Sequence, residues 1–161
     1  MRKIDILLNE YGESHQTKMN KNIHFVCVPL IFFSLIGLLA SIPVPQTFTN
    51  FFPSIVQPYV HLGTFVILLG LIYYYRLSKY LFIGMVLFSA LVLLIIQLIA
   101  ISFITPLWTI MLAIFVVAWI GQFVGHNHEG KKPSFLKDLQ FLMIGPAWTL
   151  SHFFEAFEIK F

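Results

Sequence analysis

Acidic side chains are scarce in this chain: seven Asp and Glu in 161 residues, with all charged types together reaching only 11%. Soluble domains carry roughly 25% charged residues, so an ordinary water-facing globule is excluded and the bilayer becomes the natural solvent. No Asp or Glu falls inside four apolar runs, approximately Ile23–Ile42, Val60–Tyr75, Tyr80–Ala100 and Ile104–Val124. A helix needs about 20 apolar residues to cross a hydrocarbon core of about 30 Å. Cysteine is almost absent as well. Cys27 is the only one, so no intramolecular disulfide can form, and its place inside the first run points to packing. No repeat, low-complexity tract or long linker divides the chain. The sequence therefore predicts an all-α integral membrane helical bundle, a single domain over 1–161 with about four transmembrane helices.

A further segment, Leu139–Ile159, is long enough to span but contains Gly145-Pro146, His152, Glu155 and Glu158. A Gly-Pro pair interrupts the helical ladder and ionisable groups at bilayer depth are expensive. The expectation is an interfacial or re-entrant helical segment. The first run exceeds the roughly 7–15 residues of a signal h-region and follows a mostly polar stretch, which argues against a cleaved secretory signal.

A net charge of +3 could suggest nucleic acid, but the placement of the basic residues encodes topology instead, and no nucleic-acid partner is expected. Arg2, Lys3, Lys18 and Lys21 precede the first run, Arg76 and Lys79 separate the second from the third, and Lys131, Lys132, Lys137 and Lys160 follow the fourth. The loops after the first and third runs carry no Lys or Arg. With four crossings the positive-inside rule puts both termini in the cytoplasm. The membrane would be the plasma or inner membrane in a bacterium and the endoplasmic reticulum in a eukaryote. The Pro43–Pro58 connection then reads as a short extracytoplasmic loop without evident chemistry. The sequence does not speak to oligomeric state.

The six histidines carry the chemical signal. His15 and His24 stand before and at the start of the first run, and His126 and His128 follow the fourth. Crossing parity brings these two pairs to one membrane face, and His152 joins them if the last segment returns there. Neutral imidazole is the commonest metal ligand, and histidines converging from different helices are how a bundle builds a metal site. His61 lies on the other side and reads as a polar cap.

Spacing constrains the site. At about 100° per residue His15 and His24 fall on opposite faces of one continuous helix, so sharing an ion requires a break between them. Lys18-Met19-Asn20-Lys21-Asn22 is a credible place for it: Asn20 and Asn22 suit a helix N-cap, or could orient His24 from behind the ligand shell. Pro29 removes a donor to the carbonyl of Phe25 and should bend the helix near His24. His126 and Glu129 form an i, i+3 pair about 60° apart, able to serve one site, whereas His128 points some 200° away and joins only if Gly125 or Gly130 ends the helix nearby. Glu129 reads equally as an interfacial carboxylate paired with Lys131 or Lys132. His152 and Glu155 repeat the His-x-x-Glu spacing. Acids are too few for a carboxylate-rich di-iron site.

Two blocks of the chain resemble a known family. Tyr11–Pro29 reads YGESHQTKMNKNIHFVCVP and Trp119–Pro146 reads WIGQFVGHNHEGKKPSFLKDLQFLMIGP. Together they are similar to the membrane-bound, iron-dependent 2-hydroxy fatty acid dioxygenases, whose fungal members act in phytosphingosine degradation. The second block, with its Gln-Phe-x-Gly-His core, looks like the bacterial branch. The resemblance implies an Fe(II) site using His15, His24 and His126, with Glu129 in the catalytic set and His152 as a further ligand. It also implies that O₂ cleaves a 2-hydroxy fatty acid to an acid one carbon shorter. His128 lies where no invariant histidine is expected. Lys18, Lys21, Lys131 and Lys132 could attract the substrate carboxylate, although topology already requires basic residues there. Rival expectations are a zinc-dependent membrane lipid hydrolase and a small membrane scaffold or transporter without chemistry.

Overall fold

The computed structural model describes residues 2–13, 15–130 and 135–158, the side chains of 135–142 and 156 excepted. Among these residues the chain is all-helical, with no strand. Its seven α-helices are α1 (Lys3–Gly12), α2 (Lys18–Ala40), α3 (Gln46–Thr49), α4 (Leu62–Leu77), α5 (Lys79–Ser102), α6 (Leu107–Glu129) and α7 (Phe135–Ala156), with a 3₁₀ turn at Gln57–Tyr59. Three of them, α2, α5 and α6, contain 23, 24 and 23 residues and are long and apolar enough to cross a membrane. At about 1.5 Å per residue each reaches roughly 35 Å. The equally apolar α4 has 16 residues, about 24 Å by the same rise.

Local chemistry sets the helix ends. α2 opens behind Thr17, whose hydroxyl accepts from the Asn20 N–H at 3.3 Å, the usual N-cap arrangement. The break between His15 and His24 therefore exists, but it lies upstream of the stretch the sequence suggested. α1 ends at Gly12 and α2 begins at Lys18, so Thr17 is the cap and both asparagines lie within the helix. α6 continues through Gly125 to Glu129 and stops at Gly130, whose φ of 70° is a left-handed conformation that glycine adopts without penalty.

The interruption expected at Gly145-Pro146 does not occur either, since α7 runs through both residues. A proline inside a helix costs about 3 kcal/mol. Against that, Ile144, Ala147 and Trp148 are buried, and each large apolar side chain removed from water stabilises by about 1.5–3 kcal/mol. The docked face outweighs the lost hydrogen bond. Gly145 permits the approach, because a Cβ there would stand 3.0 Å from Val28 Cγ1 and 3.2 Å from the Tyr11 hydroxyl.

α2 and α6 form the principal pair and run antiparallel: Gly125 near the end of α6 meets Asn20 at the start of α2, while Gly37 near the end of α2 meets Met111. Small residues let two backbones approach where no water drives them together. α4 and α5 complete the bundle through Phe32, Ile36, Ile67, Val92 and Ile96. At the end where α2 begins, α1 and α7 lie over it. Ile4 packs with Tyr74, Leu81, Met85 and Ala147, and Leu7 and Tyr11 pack with Ile144 and Trp148. The Tyr74 hydroxyl donates to the Met143 carbonyl and ties α4 to α7. Outward faces such as Leu87, Leu91 and Leu98 of α5 and Val116, Val117 and Ile120 of α6 stay exposed and apolar, as lipid contact requires. At the opposite end the Pro43–Pro58 connection is more than a loop: with α3 and the 3₁₀ turn it helps enclose an apolar cavity of 510 Å³ lined by Phe48, Phe52, Phe65 and Leu68.

Candidate metal centre

Three segments deliver one histidine each to the end of the bundle beneath α1 and α7. His15 comes from the joint between α1 and α2, His24 from the second turn of α2, and His126 from the last turn of α6. They are 2%, 1% and 8% exposed. Their ring centroids lie 4.1 Å (His15 to His24), 4.9 Å (His24 to His126) and 5.3 Å (His15 to His126) apart. One ligand nitrogen from each can be chosen so that all three lie within 4.8 Å of one another. Two nitrogens bound at about 2.1 Å to one tetrahedral ion lie about 3.4 Å apart, so the histidines would draw together by up to about 1.4 Å on binding.

Backbone carbonyls fix two of the tautomers. His15 Nδ1 lies 2.7 Å from the Tyr11 carbonyl and His24 Nδ1 lies 2.9 Å from the Asn20 carbonyl. A carbonyl can only accept, so each Nδ1 carries the proton and each lone pair sits on Nε2. This is the orientation that metal-ligating histidines ordinarily receive from a neighbouring carbonyl. Tyr11 also stacks on His15 at 4.4 Å. A buried three-nitrogen donor set of this kind suits Fe, Zn, Cu or Ni and leaves further coordination positions open.

Of the other residues singled out in the sequence, Asn20 is fully buried and serves twice. Its carbonyl orients His24, and its amide nitrogen donates to Glu129 Oε2 at 2.7 Å. Asn22 is exposed on α2. Glu129 lies apart from the three-histidine set. Its carboxylate accepts from the Gln16 N–H at 2.5 Å, the Thr17 N–H at 3.3 Å and the Thr17 hydroxyl at 3.0 Å, besides Asn20. Lys131 and Lys132, its expected partners, lie outside the described residues. His128 is exposed on the outer side of α6, as its angular offset from His126 requires on an unbroken helix. His152 is half-buried one turn beyond Trp148, and its Nδ1 donates to the Trp148 carbonyl at 3.0 Å. Trp148 contacts both His152, at 4.3 Å, and His15, at 5.3 Å. His61 caps α4 by accepting the Thr64 N–H at 3.2 Å, the polar-cap role expected of it.

His15 and His152 both face a polar cleft of 360 Å³ between α1, the start of α2 and α7, lined also by Asp5, Asn9, Lys21, Trp148 and Ser151. Lys21 is half-buried there, whereas Lys18 is exposed. Sequence reasoning missed Thr17, Tyr11 and Trp148. Thr17 had a legible signal, since threonine is a favoured N-cap; the other two matter through contacts with distant segments that no local pattern announces.

Neither the comparison with curated proteins nor that with solved structures gives a match. The family model described as 2-hydroxy-palmitic acid dioxygenase Mpo1-like matches residues 1–157 and takes in all three converging histidines. With nearly the whole length matched, the chain belongs to the Mpo1-like family.

Proposed function

We propose that this protein is an iron-dependent dioxygenase that shortens 2-hydroxy fatty acids by one carbon at a site on the cytoplasmic face of a membrane. The observation that carries the reading is the convergence of three buried imidazoles, two with preset tautomers, at one end of an apolar bundle. The family description names the substrate class. His15, His24 and His126 would hold the ion. Ferrous iron bound there would supply the redox chemistry and open positions that O₂ and an α-hydroxycarboxylate require, which zinc cannot do because it has no second oxidation state.

The chain's own groups prepare that chemistry. The Tyr11 and Asn20 carbonyls hold the Nδ1 protons and keep Nε2 of His15 and His24 available. Trp148 of α7, in contact with His15 and stacked on Phe25 of α2 at 5.3 Å, walls one side of the site. The polar cleft accepts the substrate head, with Lys21 as its cation and His152 at its margin. The hydrocarbon tail stays beside the apolar outer faces of the bundle. Overall, C1 leaves as carbon dioxide, C2 becomes the carboxyl carbon of the shortened acid, and one O₂ is consumed, its balance leaving as water. Four crossings with α4 counted among them, and the basic residues of the histidine end, support the cytoplasmic placement.

The test is anaerobic purification with metal analysis, followed by O₂ uptake and mass spectrometry with 2-hydroxypalmitic acid. Expected are bound iron and an O₂-dependent yield of the acid one carbon shorter, both lost on alanine substitution of His15, His24 or His126. Zinc with O₂-independent turnover, or full metal occupancy in all three variants, refutes the proposal.

A further inference from the structure

We infer that Glu129 is a positioning residue and not a ligand or proton carrier: its carboxylate clamps the α1–α2 joint to the end of α6 and so fixes the spacing of His15 and His24 against His126. The inference rests on the metal reading above and assigns Glu129 a task within that site. Four donors converge on the carboxylate: the Gln16 N–H on Oε1, and the Thr17 N–H, the Thr17 hydroxyl and the Asn20 amide on Oε2. A carboxylate offers about four lone-pair sites. Oε2 takes three of the four donors and Oε1 the fourth, so both oxygens are engaged in holding the start of α2, and Glu129 lies outside the group of ligand atoms formed by His15, His24 and His126.

The location of the donors matters as much as their number. Gln16 directly follows His15. Thr17 is the N-cap of α2, and its N–H and that of Gln16 precede the first helical turn, where backbone donors have no partner within the helix. Asn20 is the residue whose carbonyl orients His24. Glu129 itself lies three residues beyond His126, on the turn that Gly130 terminates. A negative charge at the start of α2 is also favoured by the helix dipole. Every one of the clamp's contacts therefore adjoins one of the three histidines, and the contacts bridge segments separated by 109 to 113 residues. Bonds to a charged acceptor are the stronger class of hydrogen bond, so the clamp can set where the joint stands against the end of α6.

The experiment compares wild type, Glu129→Gln and Glu129→Asp in lipid nanodiscs, by hydrogen exchange of the metal-free protein and by Co(II) titration followed through its visible absorption. Glu129→Gln keeps the size but removes the charge; Glu129→Asp keeps the charge but is one methylene shorter. Expected for Glu129→Gln are exchange at the Gln16 and Thr17 amides faster by about tenfold or more and Co(II) affinity weaker by at least about tenfold. The band positions of the saturated complex stay unchanged, because the donor set is intact. Glu129→Asp falls between the two. Shifted bands at saturation make Glu129 a ligand and overturn the inference. Faster exchange with unchanged Co(II) affinity makes it a purely structural tie, which overturns it too, as does unchanged exchange. A wild-type protein that takes up no Co(II) refutes the metal reading itself, and with it the positioning role.

Discussion

Replacing Gly121 with alanine tests whether the α2–α6 contact sets the spacing of the histidines. A Cβ at this position would stand 2.6 Å from Cys27 Sγ, where ordinary contact begins at 3.4 Å. In an interior packed as densely as a crystal the helices must part there by roughly 0.8 Å. Gly121 lies about a turn and a half from His126, and Cys27 nearly a turn from His24, so the displacement acts on two of the three donors. Overpacking costs about 1–3 kcal/mol, and alanine returns up to about 1 kcal/mol through its better helix propensity. A net loss of about 1–2 kcal/mol corresponds to roughly 5–30-fold weaker metal binding if it falls on the site. The sulfur is the obstacle, so Cys27→Ala should rescue the variant. In Co(II) titrations the single Gly121→Ala variant binds weakly, Cys27→Ala binds within about threefold of wild type, and the double variant returns to within about threefold, a coupling of about 1 kcal/mol or more. A double variant as weak as Gly121→Ala alone refutes the steric reasoning.

Other positions separate roles that the sequence left together. His128→Ala leaves metal content and turnover unchanged in the same metal analysis, since the ring points away from the donor set on an exposed face. Tyr74→Phe removes the bond to the Met143 carbonyl and destabilises by about 1–3 kcal/mol, the cost of a buried unsatisfied partner; thermal unfolding in detergent reports it. The His61 cap makes stability depend on pH. Burial holds its imidazole below the ordinary 6.5, so above that value both folded and unfolded states are neutral and the contribution is complete. As pH falls below 6.5 the unfolded state takes up the proton first, and stability is progressively lost until the lower folded-state value has been passed. His61→Asn keeps a capping acceptor without the titration, so unfolding scans between about pH 7 and pH 5 show wild type losing midpoint relative to the variant; parallel curves would rule the account out.

The apolar runs were legible because lipid-facing helices leave the same periodic-free signature wherever they occur, and α2, α5 and α6 stand close to where hydrophobicity put them. Counting four apolar runs put His15, His24 and His126 at one end of the bundle, and the three meet there. What stayed hidden depended on partners distant in sequence. Thr17 and the asparagines are all suited to the same cap; Thr17 takes it, and its hydroxyl and the Asn20 amide both reach the distant Glu129 carboxylate. Gly145-Pro146 looks like a stop until the burial of Ile144 and Trp148 is counted against it. Glu129 has the spacing of a ligand beside His126, whereas the three donors from the α1–α2 joint and the Asn20 amide that meet its carboxylate come from segments more than 100 residues away.

The apolar outer surface does not end below the histidines. Val26, Phe123 and Val124, on the outer faces of α2 and α6 at the level of His24 and His126, are 60%, 53% and 50% exposed. Under the proposed function, a fatty acid reaching the site along that surface would keep its tail in hydrocarbon both before and after capture. The transfer of about 0.8 kcal/mol per methylene that gives a water-borne enzyme its grip on long chains is then spent on partitioning into the bilayer, and little of it remains to distinguish one bound chain from another. Discrimination would then fall to the hydroxyl and carboxylate, and the concentration governing rate would be the surface density of substrate in the membrane, not its concentration in water.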